Sequence, residues 1–148
     1  MNREILFKAK RKNWRELPKE QWWVEGLLWK KKYKSDKWYI SCFPDKDDNE
    51  ELYLIDSETI CQYTGITDKN NKKIFENDII ETITFGFTQD HFVTSVKFGA
   101  KFSMQGFYLD NGRSMFYFGQ SDLTKMDDTK VIGNVFDNPE LLINLLKQ

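Results

Sequence analysis

Histidine is almost missing from this chain of 148 residues, which has one, His91, and only two cysteines, Cys42 and Cys61. One histidine and two widely separated cysteines do not have the spacing of a zinc site. Nor does His91 make a catalytic constellation. Asp90 precedes it and Ser95 follows, but adjacency in sequence is not a triad, and the reading is a surface histidine at a turn edge. Glycine is modest, and no glycine-rich string follows a strand and opens a helix, so no phosphate-binding loop is expected. No apolar run approaches the ~18 residues of a membrane helix. No apolar segment follows Met1-Asn2-Arg3-Glu4, so no signal peptide is expected. The expectations are then a cytoplasmic location, free thiols and no membrane association.

Aromatic residues are plentiful, at 16%, which suits strands and sheet packing, and the charged share of 30% with a net charge of −1 is that of an ordinary soluble protein. The mean hides a split. Residues 1–39 hold 12 Lys and Arg against 5 Asp and Glu, and the remainder holds 10 against 18. All five tryptophans, Trp14, Trp22, Trp23, Trp29 and Trp38, fall in the basic part. The chain has a basic, Trp-rich front and an acidic back.

Taken in order, residues 4–12 alternate Ile5, Phe7 and Ala9 with Leu6, Lys8 and Lys10, a first strand. Pro18 excludes a central strand at that point. Residues 21–29 are apolar on both faces, a pattern of strands covered on both sides, and Gly26 in the middle predicts a bulge or a close backbone approach. Residues 34–37 turn, and 37–43 return as the second strand of a hairpin. Residues 44–51 are a polar, acidic connection. A short strand at 52–55 leads to 58–80, a stretch that folds back on itself. There an extended segment is broken at Thr64-Gly65, Asp68-Lys69-Asn70-Asn71 turns, residues 72–75 return, and Asn77-Asp78 turns again. Strands are predicted at 79–87, 92–98, 102–109, 114–118 and 130–136, with Asp110-Asn111-Gly112 as the strongest hairpin turn. At the end Asn138 reads as an N-cap with Pro139 at the first helical position, and Leu141, Leu142, Leu145 and Leu146 line one face of a short helix.

Two constellations carry chemistry. Asp68, Glu76 and Asp78 could converge on a hard cation. The plainer reading is that Asp68 caps its turn and Asp78 holds the start of the next strand. The sharper candidate is the basic, aromatic series Trp29, Lys30, Lys31, Lys32, Tyr33, Lys34, Lys37 and Trp38. Cations interleaved with flat rings are what single-stranded nucleic acid needs, phosphate contact plus base stacking. The competing readings are that the tryptophans are core and the lysines a solvated hairpin tip, or that the apolar strand is buried by a second subunit.

The segment Gln62-Tyr63-Thr64-Gly65-Ile66-Thr67-Asp68-Lys69-Asn70, followed by Lys73-Ile74-Phe75-Glu76 and Asp78-Ile79-Ile80, resembles the signature of the YopX family of bacteriophage and prophage proteins. The likeness recurs in Val131-Ile132-Gly133-Asn134-Val135-Phe136-Asp137-Asn138-Pro139-Glu140-Leu141-Leu142, in Arg3-Glu4-Ile5-Leu6-Phe7-Lys8-Ala9, and more loosely in Trp23-Val24-Glu25-Gly26-Leu27-Leu28. The family usually has glycine where this chain has Asn71 and Asn77. Asparagine is the non-glycine residue that best tolerates φ > 0, so both are expected in the left-handed region. The resemblance implies an SH3-like β-barrel in the central region and no established activity.

The expected protein is mainly β, with an N-terminal β-sheet region over residues 1–57 that is curled, and an SH3-like β-barrel with one short C-terminal helix over 58–148. The expected function is a non-enzymatic, phage-associated binding or assembly protein, a homo-oligomer that contacts a host or phage protein. Nucleic-acid binding by the basic front is the alternative. No catalytic residues, metal or cofactor are expected.

Overall fold

The computed structural model describes residues 4–31, 36–42, 51–83, 91–101, 104–110, 115–117 and 125–143. The chain divides into two compact units, Met1–Tyr63 and Thr64–Gln148. Among the described residues the sheets are antiparallel, with one short α-helix, so the mainly-β class holds.

In the first unit the strands are β1 (Phe7–Lys10), β2 (Trp23–Lys30), β3 (Trp38–Cys42), β4 (Glu51–Leu54) and the beginning of β5 (Cys61–Thr67). Their order across the sheet is β4-β3-β2-β1-β5. β2 changes partner along its length: Trp23 to Gly26 pair with β1, and Leu27 to Lys30 pair with β3. Gly26 is the corner. A Cβ there would lie 2.0 Å from the Ser41 carbonyl oxygen, so only glycine lets the two backbones cross, as the sequence suggested. The sheet also curls until its ends meet. Arg11 forms an antiparallel bridge with Ile55, the Lys12 N–H donates to the Leu54 carbonyl at 2.9 Å, and the Asp56 N–H donates to the Lys10 carbonyl at 2.8 Å. Inside the curl lie Ala9, Ile40 and Ile55, with Phe7, Val24, Leu28, Trp38, Cys42 and Ile60 packed on them. Both cysteines are free thiols.

The second unit contains the later half of β5, β6 (Lys73–Phe75), β7 (Asp78–Ile83), β8 (His91–Ser95), β9 (Lys97–Lys101), β10 (Met104–Asp110), β11 (Met115–Tyr117), β12 (Lys130–Asn134) and the helix α1 (Glu140–Ile143). Among the described residues its strands include two three-stranded sheets, β12-β7-β8 and β11-β10-β9, rather than one closed ring. The core is Ile66, Ile74, Ile80, Val96, Phe107, Leu109, Met126 and Val131. Beneath it the Thr82 and Thr129 hydroxyls share a hydrogen bond at 2.7 Å, which satisfies two buried polar groups.

Three local readings change. β5 does not break at Thr64-Gly65. It runs through Gly65 at φ 88°, and the Thr64 hydroxyl donates to the Ile74 carbonyl at 2.7 Å, so a polar side chain bridges the irregularity. The strand expected over 92–98 is two strands that part at Val96. Val96 leaves the ladder because its N–H donates to the Asp78 carbonyl and its carbonyl accepts from the Asn77 N–H. Asn138 does not cap α1 with its side chain. Its Oδ1 accepts from the Asn134 N–H at 3.3 Å, while its main-chain carbonyl accepts from Leu141. Leu145, Leu146 and the middle of the Asp110-Asn111-Gly112 turn lie outside the described residues, although Asp110 does pair with Met115 across that hairpin.

Candidate functional site

Strand alternation sorts the first unit into two faces. Val24, Leu28, Trp38 and Ile40 point into the curl. The intervening residues form ladders on the outside. Leu27 stands opposite Ser41, which stands opposite Leu52, and Trp29 stands opposite Tyr39, which stands opposite Leu54. Leu27 is 51% exposed, Trp29 47% and Leu52 49%, whereas Ser41 between the two leucines is buried. The Trp29 and Tyr39 rings lie 5.3 Å apart at 57°, a favourable tilted contact. Two apolar rows therefore lie side by side across β2, β3 and β4. This overturns the expectation that β2 is covered on both faces. The strand is apolar on both, but one face of its second half is open.

The first half of β2 shows what covering that face looks like. Lys10 is outward-facing, opposite Trp23, yet almost wholly buried. The turns Trp14–Glu16 and Lys19–Gln21 bring Trp14 and Trp22 over it. The Lys10 Nζ lies 3.8 Å from the Trp14 ring centre, 4.6 Å from that of Trp22 and 5.7 Å from that of Trp23. Trp14 and Trp22 meet edge to face at 4.8 Å, and the Trp22 indole N–H donates to the Leu17 carbonyl at 2.9 Å. Three ring faces thus line the enclosure of this buried cation.

Of the basic, aromatic series, the structure brings Trp29, Lys30, Lys31, Lys37 and Trp38 to one end of the β2–β3 hairpin. Lys32, Tyr33 and Lys34 lie outside the described residues. Lys30, Lys31 and Lys37 are exposed, and the Lys30 Nζ sits 5.1 Å from the Trp38 ring centre. Trp38 turns inward and packs on the core. The reading of the tryptophans as packing residues thus fits four of the five, and Trp29 is the exception. Sequence reasoning did not single out Tyr39, Leu52 and Leu54. Each strand looks ordinary alone, and only the cross-strand register puts them beside Trp29 and Leu27.

At the opposite end of these strands Glu25 lies on the outward face, opposite Lys8, and Glu51 on the inward one, opposite Cys42, and both glutamates are exposed. Tyr53 and Glu51 share a hydrogen bond that raises the tyrosine's pKa, with burial and the glutamate's charge adding to it. Burial raises the Cys42 thiol, helped by the charge of Glu51.

Asp68 and Asp78 in the second unit are turn-builders. Asp68 Oδ1 accepts from the N–H groups of Asn70 at 2.8 Å and Lys72 at 2.9 Å, and Oδ2 accepts from Val131 at 2.9 Å. Burial alone would raise this carboxyl, but these donors and the Lys72 charge outweigh it and hold Asp68 below the usual carboxylate range. Asp78 Oδ2 accepts from the Phe75 N–H at 2.8 Å. Asn71 and Asn77 have φ of 63° and 68°, the left-handed conformation expected of both. His91 is exposed, with Nδ1 3.5 Å from Glu81. No group of three or more metal-ligating side chains converges among the described residues, and none of their helices is long and apolar enough to cross a membrane.

A family model described as "YopX protein" matches residues 12–143. No curated protein matches the chain. Among solved structures, the crystal structure of protein EF1440 from Enterococcus faecalis is similar at 20% identity, with a TM-score of 0.54, covering 95% of this chain and 99% of that one. That likeness is one of fold.

Proposed function

The chain belongs to the YopX family, and from that premise we propose that it is a phage- or prophage-associated, non-enzymatic binding or assembly protein that works through protein–protein contact on the outward face of β2, β3 and β4. The observation that carries this reading is the pair of apolar rows with Leu27, Trp29 and Leu52 each about half exposed. Scattered apolar residues at a surface need no explanation, but adjacent rows on one sheet face mark a contact surface. A half-exposed Trp beside a Tyr is also the residue pair that interfaces favour as an anchor. The cytoplasm of a bacterial host is the setting this reading implies.

One observation favours the second reading, single-stranded nucleic acid. Half-exposed Trp29 lies at the same hairpin end as exposed Lys30, Lys31 and Lys37. Stacking and phosphate contact would use those groups. Leu27, Leu52 and Leu54 have no part in such a site, and they make up most of the face.

The test compares wild type with Leu27→Ser/Leu52→Ser and Lys30→Glu/Lys31→Glu. The protein-contact reading expects a specific protein recovered from infected host cells, lost in the leucine variant, and no micromolar binding of labelled oligonucleotide at low salt. Micromolar oligonucleotide binding that disappears in the lysine variant, with a steep loss in salt, would replace it with the second reading.

A further inference from the structure

We infer that the enclosure of Trp14, Trp22 and Trp23 is an ammonium site filled from within by Lys10, and that this bound cation is the latch that seats residues 13–22 as a strap on the outer side of β1 and β2. The latch does not depend on what the open face contacts. Lys10 reaches the site from a fixed point. Its N–H donates to the Thr59 hydroxyl at 2.8 Å, and its carbonyl accepts from the Asp56 N–H at 2.8 Å. The side chain then leaves on the outward side, opposite Trp23, and its Nζ lies within the ~6 Å reach of a cation–π contact for all three rings. Arg15 and Lys19 also lie over these rings, 4.4 Å from the centre of Trp14 and 5.8 Å from that of Trp22, but both are exposed and water screens them. Lys10, 3% exposed, is the cation that has given up its water.

Main-chain bonds tie the ends of the strap. The Trp14 N–H donates to the Arg11 carbonyl at 3.0 Å, and the Arg11 N–H donates to the Trp22 carbonyl at 2.8 Å. Between them, neither short turn buries a residue or has a side-chain N-cap bond. The Trp14 indole N–H is buried with no acceptor among the described residues, so no hydrogen bond places that ring. The Trp22 indole N–H turns back to Leu17, inside the strap itself. The Lys10 ammonium is what joins these two rings to β1. An apolar side chain at this position would pack on the rings without the cost of taking an ammonium out of water. That cost is offset by the ring faces only while they are closed on the cation, so the charge and the seated strap require each other. The latch also fixes which half of the outward side of β2 is covered. Lifting the strap would extend the uncovered side from Leu27 back to Trp23.

Limited trypsin digestion of the full chain, with the cuts placed by mass spectrometry, tests the latch at Arg15 and Lys19. Lys10→Met fills similar space without the charge. It should be cut at those two residues at least about tenfold faster than wild type, with circular dichroism unchanged. Lys10→Ala vacates the site, and propylammonium supplies what the substitution removed. Excess propylammonium should restore resistance in this variant and return the Trp14 and Trp22 indole N–H signals toward their wild-type positions. Propanol, of the same length but uncharged, should do neither. Propylammonium should leave wild type unchanged, because the tethered Lys10 already fills the site. Equal cutting of wild type and Lys10→Met overturns the latch, as does propanol protecting Lys10→Ala as well as propylammonium does. Either result would make the enclosure a matter of apolar packing. Should Lys10→Ala fail to fold, the comparison of Lys10→Met with wild type decides alone, by the same criterion.

Discussion

In the first unit a lysine is buried among tryptophans and one sheet face is left open, whereas in the second a carboxylate is buried among backbone donors and, among the described residues, a cluster of eight apolar side chains forms a core. Both units bury a charge, and each uses the partner its composition provides. The front of the chain has five tryptophans and an excess of cations, so Lys10 is held by ring faces. The back has an excess of acids and tight turns, so Asp68 is held by N–H groups. The lesson is that charge asymmetry along a chain can set the means of stabilisation region by region. It also separates tasks. The second unit commits Asp68 and Asp78 to turns, and the first keeps exposed charged side chains at the ends of the strands that carry its uncovered face.

The largest effect that would break this contrast is at the corner of β2. Gly26→Val should cost about 3 kcal/mol or more, because its Cβ meets backbone rather than a movable side chain. Since every tryptophan lies in the first unit, intrinsic fluorescence during denaturant unfolding reads that loss directly.

Next comes the buried carboxylate. Asp68→Asn replaces one acceptor oxygen with an amide donor and should destabilise by about 2–3 kcal/mol, since hydrogen bonds to a charged acceptor are among the stronger ones. The pH dependence sharpens the contrast. The folded pKa of Asp68 is lowered, so its contribution is present above the ordinary carboxylate pKa and is lost as pH falls through the folded value. In the first unit Tyr63 is raised by burial and then by Glu4, and Tyr53 by its bond to Glu51. A raised group contributes below its unfolded pKa and loses that contribution as pH rises through the folded one. Acid should therefore loosen the amides of Lys72 and Val131 before the tryptophans respond, and strong alkali should do the reverse. Amide exchange and fluorescence across pH would show either order.

Asn71→Val should cost more than ~1 kcal/mol, because a β-branched residue is disfavoured at φ 63°, while Asn71→Gly should stay within about 0.5 kcal/mol of wild type. Thermal unfolding distinguishes them. The smallest expected stability effect is at the open face. Leu27→Ser/Leu52→Ser should change unfolding free energy by no more than about 0.5 kcal/mol, since side chains half in water contribute little to the monomer.

Much of this architecture was legible in the sequence because it depends on local chemistry. The close approach at Gly26 and the turn roles of Asp68 and Asp78 each follow from one residue type at one position, and the positive φ at Asn71 and Asn77 follows from asparagine standing where the family resemblance has glycine. What was not legible depends on pairing between distant strands. The exposed face exists because Leu52 comes to lie two strands from Leu27. The tryptophan enclosure of Lys10 exists because two short turns fold back over β1. Val96 leaves its strand to bond with Asn77 and Asp78, which its own neighbours do not signal. Alternation correctly made β2 apolar on both faces, but it cannot tell a face covered by the same chain from one left open.

The central claim is that the outward face of β2, β3 and β4 is where this chain makes contact. The five indole N–H signals of nitrogen-15-labelled protein test it most directly, recorded as increasing amounts of lysate from infected host cells are added. The account predicts that the Trp29 signal moves, with the amides of Leu27, Tyr39 and Leu52, while those of Trp14, Trp22, Trp23 and Trp38 stay in place. Movement among the four packed tryptophans with Trp29 still, or no movement at any amount added, would contradict it.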